Sequence, residues 1–147
     1  DPLWRGRRVW GEVHDENANG VGGVAGHAGL FASTRDIARF GQAWLTGDPR
    51  LGIEVALHEA ATTQQAATGP ELRGLGWMLK SPENSSAGDT FSPTAYGHTG
   101  FTGTSLWIDP ERHLVVACLT NFVYGGRGRP GLHEFRREIH DLFAKTI

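Results

Sequence analysis

One cysteine, one methionine and two lysines occur in 147 residues. With Cys118 alone no internal disulfide can form, and its place in the apolar run Leu114-Val-Val-Ala-Cys-Leu119 predicts a buried, inert thiol. Long apolar runs are absent too: nothing approaches the ~20 residues of a membrane-spanning helix. The N-terminal residues lack the charged, apolar and small-residue regions of a signal peptide, which leaves the compartment undecided. Charge of one sign is not in excess. A net charge of −2 and a pI near 6.4 give no electrostatic case for nucleic acid or a membrane surface. No His-x-x-x-His pair occurs, and His14, Asp15 and His27 match no common zinc spacing, so neither a metal nor a cofactor is expected.

What is present is glycine: 21 of 147, about twice the usual share, a frequency that suggests irregular functional backbone. The first 32 residues show neither a helical nor a strand period. Gly11-Glu-Val-His-Asp-Glu-Asn-Ala18 is followed by Gly20, Gly22, Gly23, Gly26 and Gly29, which reads as a long functional loop. No βαβ pattern surrounds it, so it is not a dinucleotide fingerprint. Ser33-Thr-Arg-Asp36 predicts a capped helix start with Asp36 as the capping-box partner, and Ile37, Phe40, Gly41, Trp44 and Leu45 form its apolar stripe. A second helix is predicted over 53–65, with Ile53, Leu57, Ala60 and Ala61 inward. Gly69-Pro70 breaks the chain, 74–80 reads as a short strand, and 81–93 as a polar surface loop.

Strands over 103–108 and 113–120, joined by Asp109-Pro-Glu-Arg112, predict an antiparallel hairpin. Its second strand is apolar without alternation and is expected to be central and covered on both faces. A last helix, 132–145, is predicted to turn Leu132, Phe135, Ile139, Leu142 and Phe143 toward the hairpin. These elements divide the chain into an irregular cleft loop (1–32), a helical part (33–70) and sheet strands with a C-terminal helix (71–147). No internal repeat is visible. The open edge left on such a sheet is a liability for a complete domain, and the chain begins with Asp1-Pro2 rather than Met. The expectation is therefore part of a larger domain, poorly stable alone.

The densest polar stretch is Tyr96-Gly-His-Thr-Gly-Phe-Thr-Gly-Thr-Ser-Leu-Trp107. His98-Thr99-Gly100, followed by two strands ending in Thr120-Asn121, resembles the third motif of the penicillin-recognising serine hydrolases, a Lys/His-Thr/Ser-Gly triplet. Three more blocks agree in order: the 11–18 segment, Gly22-Gly-Val-Ala-Gly-His-Ala-Gly-Leu-Phe31 with Ser33–Phe40, and Gly74-Leu-Gly-Trp77. Together they look like the class C β-lactamase and esterase branch. The His-Asp-Glu-Asn-Ala and Gly-His-Ala-Gly-Leu-Phe blocks look most like a bacterial subgroup of peptidoglycan recycling that includes muropeptide amidases. The fold implied is α+β, the C-terminal portion of the serine β-lactamase-like fold, with an antiparallel sheet and flanking helices.

The family also uses a nucleophilic Ser-x-x-Lys, whose lysine one helical turn on accepts the serine proton, and a Tyr-x-Asn or Ser-x-Asn motif. Trp77 and Leu142 stand three residues before the two lysines, Lys80 and Lys145. Neither tyrosine and no serine is followed two places on by asparagine. The resemblance thus implies a C-terminal fragment of an acyl-enzyme hydrolase. Its partners would be the missing N-terminal part of the same domain and a small-molecule or muropeptide-like substrate: a β-lactam, an ester or a peptidoglycan-derived amide. The alternative is a non-catalytic peptidoglycan- or peptide-binding module that lost its nucleophile.

By analogy His98 would supply a hydrogen bond and a titratable group. Thr99 would bond the substrate's carboxylate or amide, Gly100 would admit its backbone, and the Phe101 N–H would be one oxyanion donor. A plain exposed histidine at a strand start is the other reading of His98. His14, Asp15 and Asn17 could line the cleft or hold their loop together through Asx-type bonds. His27 could contact substrate or be a hydrogen-bonded loop histidine. Arg5, Arg7, Arg8, Arg127 and Arg129 read as solvated loop charges.

Overall fold

The computed structural model describes residues 5–146; the first four residues of the predicted cleft loop and Ile147 lie outside them. Six short strands form one antiparallel meander in chain order: β1 (Ala66–Thr68), β2 (Glu71–Arg73), β3 (Met78–Leu79), β4 (Tyr96–Thr99), β5 (Ser105–Asp109) and β6 (Leu114–Cys118). Helices α1 (Glu16–Gly20), α2 (Thr34–Thr46) and α3 (Val55–Thr62) precede the sheet, and α4 (Leu132–Thr146) follows it. The α+β expectation holds.

Side-chain alternation splits the core between two faces of the sheet. Leu106 and Ile108 of β5 join Trp44, Ala61, Trp77 and Tyr96 beneath α2, with Val115 and Ala117 of β6 packed against them. Trp107, Leu114 and Val116 point the other way, to Phe91, Ala87 and Ala144 of α4. Helix α2 lies close on the sheet because Gly41 has no side chain: a Cβ there would sit 2.6 Å from Val115 Cγ1. Its start is capped as expected, Ser33 Oγ accepting from the Asp36 N–H. Asp36, however, takes the Ser33 hydroxyl at 2.6 Å rather than a backbone group.

Several expectations are corrected. Strand β5, buried along its whole length, is the inner one; β6 carries residues of both core clusters, as expected, but is the last strand in the order rather than a central one. The unbroken apolar run of β6 reported two covered faces, not a place inside the sheet. Thr68-Gly69-Pro70-Glu71 is a hairpin turn joining β1 to β2, with Gly69 at φ +57°, so the sheet begins at Ala66. Of the span 74–80 only Met78–Leu79 is strand. Helix α3 is shorter than 53–65, and its Leu57 is half exposed; His58 takes the inward place, stacked on Trp44 and bonded to the Trp44 carbonyl at 2.8 Å. The irregular first segment contains one short helix, α1.

The largest departure is α4. Phe135, Leu142 and Phe143 are 40%, 60% and 49% exposed, whereas Arg136, His140 and Ala144, one to a turn, face the sheet. The reason lies opposite: the segment 81–93, expected at the surface, buries Ser85, Ser86, Ala87, Gly88 and Phe91 under α4. Its backbone needs polar partners there, and the polar face of α4 supplies them. His140 Nδ1 donates to the Ser86 carbonyl at 2.7 Å, and Asp141 Oδ1 accepts from the Asp89 and Thr90 N–H groups at 2.8 Å each.

Candidate active-site wall

Strand β4 places the polar stretch. In its register with β5, Gly97 faces Trp107, His98 faces Leu106 and Thr99 faces Ser105. Gly97 is dictated by that packing: a Cβ would lie 2.2 Å from the Leu106 carbonyl oxygen and 2.7 Å from the buried Trp107 ring. Tyr96 belongs to the core, its hydroxyl pushed up to about 12 by burial. The strand then leaves the core with His98 exposed and Thr99 half-buried.

His98 Nδ1 lies 2.9 Å from the Thr99 carbonyl, and its Nε2 3.5 Å from Arg73 Nη1. A carbonyl only accepts and a guanidinium only donates, so these partners assign the proton to Nδ1 and aim the Nε2 lone pair at Arg73. Among the described residues Thr99 Oγ1 has only a weak contact, 3.9 Å to Met78 Sδ.

A tight loop follows. Gly100 N–H donates to Thr104 O at 2.8 Å, Gly103 N–H to Gly100 O at 3.0 Å, and Gly103 closes the loop at φ +110°. Among the described residues, the bonds that pin this loop engage its carbonyls: Phe122 N–H to Thr102 O, Thr120 Oγ1 to Gly103 O, and Arg136 Nη2 to both Gly100 O and Thr104 O. The N–H groups of Phe101 and Thr102, by contrast, meet no acceptor among the described residues.

The N-terminal loop lies against the exposed Phe101 ring. His14 stacks on it at 5.7 Å between centroids, and the Arg127 guanidinium sits 5.7 Å from its centre. Arg127 in turn pairs with Glu16, which holds that carboxyl below its usual range. Burial, then the Arg127 charge, lowers the His14 pKa. Asp15 and His27 are brought to each other. Asp15 Oδ1 caps α1 by accepting from Ala18 N–H at 2.8 Å and meets His27 Nε2 at 2.9 Å; those bonds lower the Asp15 pKa. Asn17 is exposed on α1. Among the described residues no group of three or more His, Cys, Asp or Glu could hold a metal ion.

A cavity of about 470 Å³ opens beside the loop, lined by Thr99, Phe101, Phe122, Leu132, Arg129 and Arg136 among others. Arg129 lies over the Phe122 ring at 5.2 Å and has no ion pair among the described residues.

Residues 2–141 match the sequence profile of the family described as Beta-lactamase. The chain belongs to the beta-lactamase family. It is 41% identical over 127 residues to a protein of Salmonella agona (strain SL483) and 42% identical over 129 residues to one of Escherichia coli (strain K12). Both carry the name "Putative D-alanyl-D-alanine carboxypeptidase". Each alignment covers 82% of this chain, which spans only 29% of the length of either relative. A solved beta-lactamase from Mycobacterium bovis superposes with a TM-score of 0.66 at 22% identity, over 81% of this chain and 46% of that one, which shows the shared fold.

Three residues around the candidate wall have no signature in the sequence. Arg73 reaches His98 from a hairpin that periodicity did not reveal. Arg127 was read as a solvated loop charge, although an aromatic at 101 and an acid at 16 await it. Arg136 stood off the apolar stripe of α4, and only the inverted seating of that helix brings it beneath the loop. No local pattern encodes any of these three contacts.

Proposed function

We propose that this chain forms one wall of the active site of a serine hydrolase that works through an acyl-enzyme on a β-lactam, ester or peptidoglycan-derived amide. The observation that carries the reading is the loop after His98-Thr99: its carbonyls are held while the Phe101 N–H stands unclaimed beside the cavity. In the reaction a serine oxygen, supplied by the part of the protein outside these residues, attacks the substrate carbonyl and its proton passes to a neighbouring lysine. The resulting oxyanion is met by the Phe101 N–H and by the serine's own N–H. Collapse expels the amine or alcohol, which takes up the proton, and water then releases the acyl group as an acid.

The cavity suits a substrate with an apolar body and an acidic group, given Phe122, Leu132 and the uncommitted Arg129. The carboxypeptidase name of the relatives favours a peptidoglycan-derived peptide or amide within the three classes. The remainder of the domain is proposed to cover the outward apolar face of α4 and the loop carrying Leu30 and Phe31, which are 96% and 68% exposed.

The test is the complete protein treated with a fluorescent β-lactam, an activated ester and a muropeptide amide, followed by intact-mass analysis. A covalent adduct on a Ser-x-x-Lys serine, slowed by Thr99→Val and His98→Ala, is the expected result. A complete reading frame without Ser-x-x-Lys would overturn the catalytic reading. The absence of that motif from these 147 residues favours one other reading, a binding module without a nucleophile. Saturable muropeptide binding with no turnover would mark it.

A further inference from the structure

Arg136 Nη2 donates to Gly100 O at 2.6 Å and to Thr104 O at 2.9 Å. Gly100 O and the Phe101 N–H belong to the same peptide group. A trans peptide is planar, with its C=O and N–H pointing in opposite directions. Whatever grips that oxygen from below therefore aims that N–H outward above. We propose that Arg136 is a positioning residue: by holding the Gly100–Phe101 peptide plane it directs the Phe101 N–H at the reacting carbonyl. This rests on the oxyanion role given to Phe101 in the proposed function.

Other observations point the same way. Arg136 is only 8% exposed, and burial lowers its pKa. A buried guanidinium is a costly way to tie a loop that already closes through Gly100 N–H to Thr104 O and Gly103 N–H to Gly100 O. What it adds is orientation. A single nitrogen with two hydrogens bridges the two ends of the loop, so the plane cannot rotate without breaking the bonds that Arg136 and the Gly103 N–H make to Gly100 O. A cationic donor on the carbonyl also polarises the peptide and makes its N–H a stronger donor. Gly100 lets the loop fold tightly there: a Cβ would meet Thr104 Oγ1 at 2.2 Å. His140 lies one turn further along the same face of α4, bonded to Ser105 and Ser86, and fixes the helix that carries the arginine.

The experiment compares Arg136→Met, Arg136→Lys and the surface control Arg137→Met in the complete protein. Two quantities are read: the acylation rate separately from the binding constant of the preceding complex, and the amide 15N signal of Phe101 in phenylalanine-labelled protein. Arg136→Met is expected to slow acylation about 10- to 100-fold with binding nearly unchanged, and to move the Phe101 signal. Arg136→Lys should recover part of the rate, and Arg137→Met should match wild type. The inference is overturned if Arg136→Met acylates at the wild-type rate, or if its Phe101 signal stays in place. Equal losses in Arg136→Met and Arg136→Lys that follow melting temperature alone would also overturn it. Slowing by Thr99→Val but not by Arg136→Met would leave the proposed function standing without this role. A wild-type protein that no substrate acylates would remove the proposed function and this inference with it.

Discussion

His140 Nε2 lies 3.1 Å from Ser105 Oγ in the interior, and both are closed to solvent. Because the Ser86 carbonyl takes the proton on Nδ1, the Ser105 hydroxyl must donate to Nε2, which leaves the ring neutral. Burial lowers the His140 pKa, and the Arg136 charge adds to that. The sign follows. Above the ordinary histidine value of about 6.5, the ring is neutral folded or unfolded, and stability is at its full value. As pH falls through that value toward the folded pKa, the unfolded chain takes up a proton that the native state refuses, and stability is lost. Urea midpoints should therefore fall between pH 7 and pH 5, above the range where carboxylates titrate. His14, also shifted downward, adds in the same direction. His140→Gln should flatten that slope and cost about 1–3 kcal/mol at pH 7. An unchanged slope in this variant would show that another group controls it.

Gly97 and Gly100 stand three residues apart, yet an added methyl should act differently at each. At Gly97 it would strike the Leu106 carbonyl and the Trp107 ring, neither of which can move without opening the sheet. At Gly100 its nearest neighbour is Thr104 Oγ1, the end of a short side chain that can rotate. Gly97→Ala is expected to destabilise by about 1–3 kcal/mol, as overpacking does. Gly100→Ala should cost less than about 1 kcal/mol. Denaturant titrations of both variants check the order, and a larger loss at Gly100 would contradict it.

The N-terminal loop is seated by Asp15, whose one oxygen serves both the start of α1 and His27. Asp15→Ala should release Ala18 N–H, free His27 and loosen the His14 stack on Phe101. Faster thermolysin cleavage within residues 18–31 is the expected signature. Asp15→Asn keeps an acceptor for the cap and should be cut more slowly than the alanine variant. Equal cleavage of both would shift the seat to the charge on Asp15.

Elements with a local signature were legible in the sequence. The Ser33 cap, the α2 stripe and the β5–β6 hairpin all arise from neighbours in the chain, and the candidate triplet His98-Thr99-Gly100 is contiguous too. Contacts decided by distant partners were not. The β1–β2 hairpin has strands of three residues, too short for a period to register. Helix α4 carries an apolar stripe and a polar stripe, and periodicity alone assigned the apolar one to the sheet. Which stripe turns inward was settled by the 81–93 segment, whose buried carbonyls and N–H groups need His140 and Asp141. Those bonds span about fifty residues, beyond any window of pattern.

That inversion yields the sharpest separation between the 147 residues and the larger domain proposed above. Leu142 and Phe143 are 60% and 49% exposed and belong to neither core cluster. Leu142→Glu should therefore shift the stability of the 147-residue chain by no more than about 0.5 kcal/mol, as exposed sites do. Binding of an apolar dye to that chain should fall, because the stripe is interrupted. If the proposed remainder of the domain covers α4, the same change in the longer protein would bury a carboxylate, and the melting temperature should drop by several degrees. Paired melting curves decide it. A drop of the same size in both forms would mean that the apolar face of α4 is packed within these 147 residues, and no drop in either would leave the face at the surface of the whole protein.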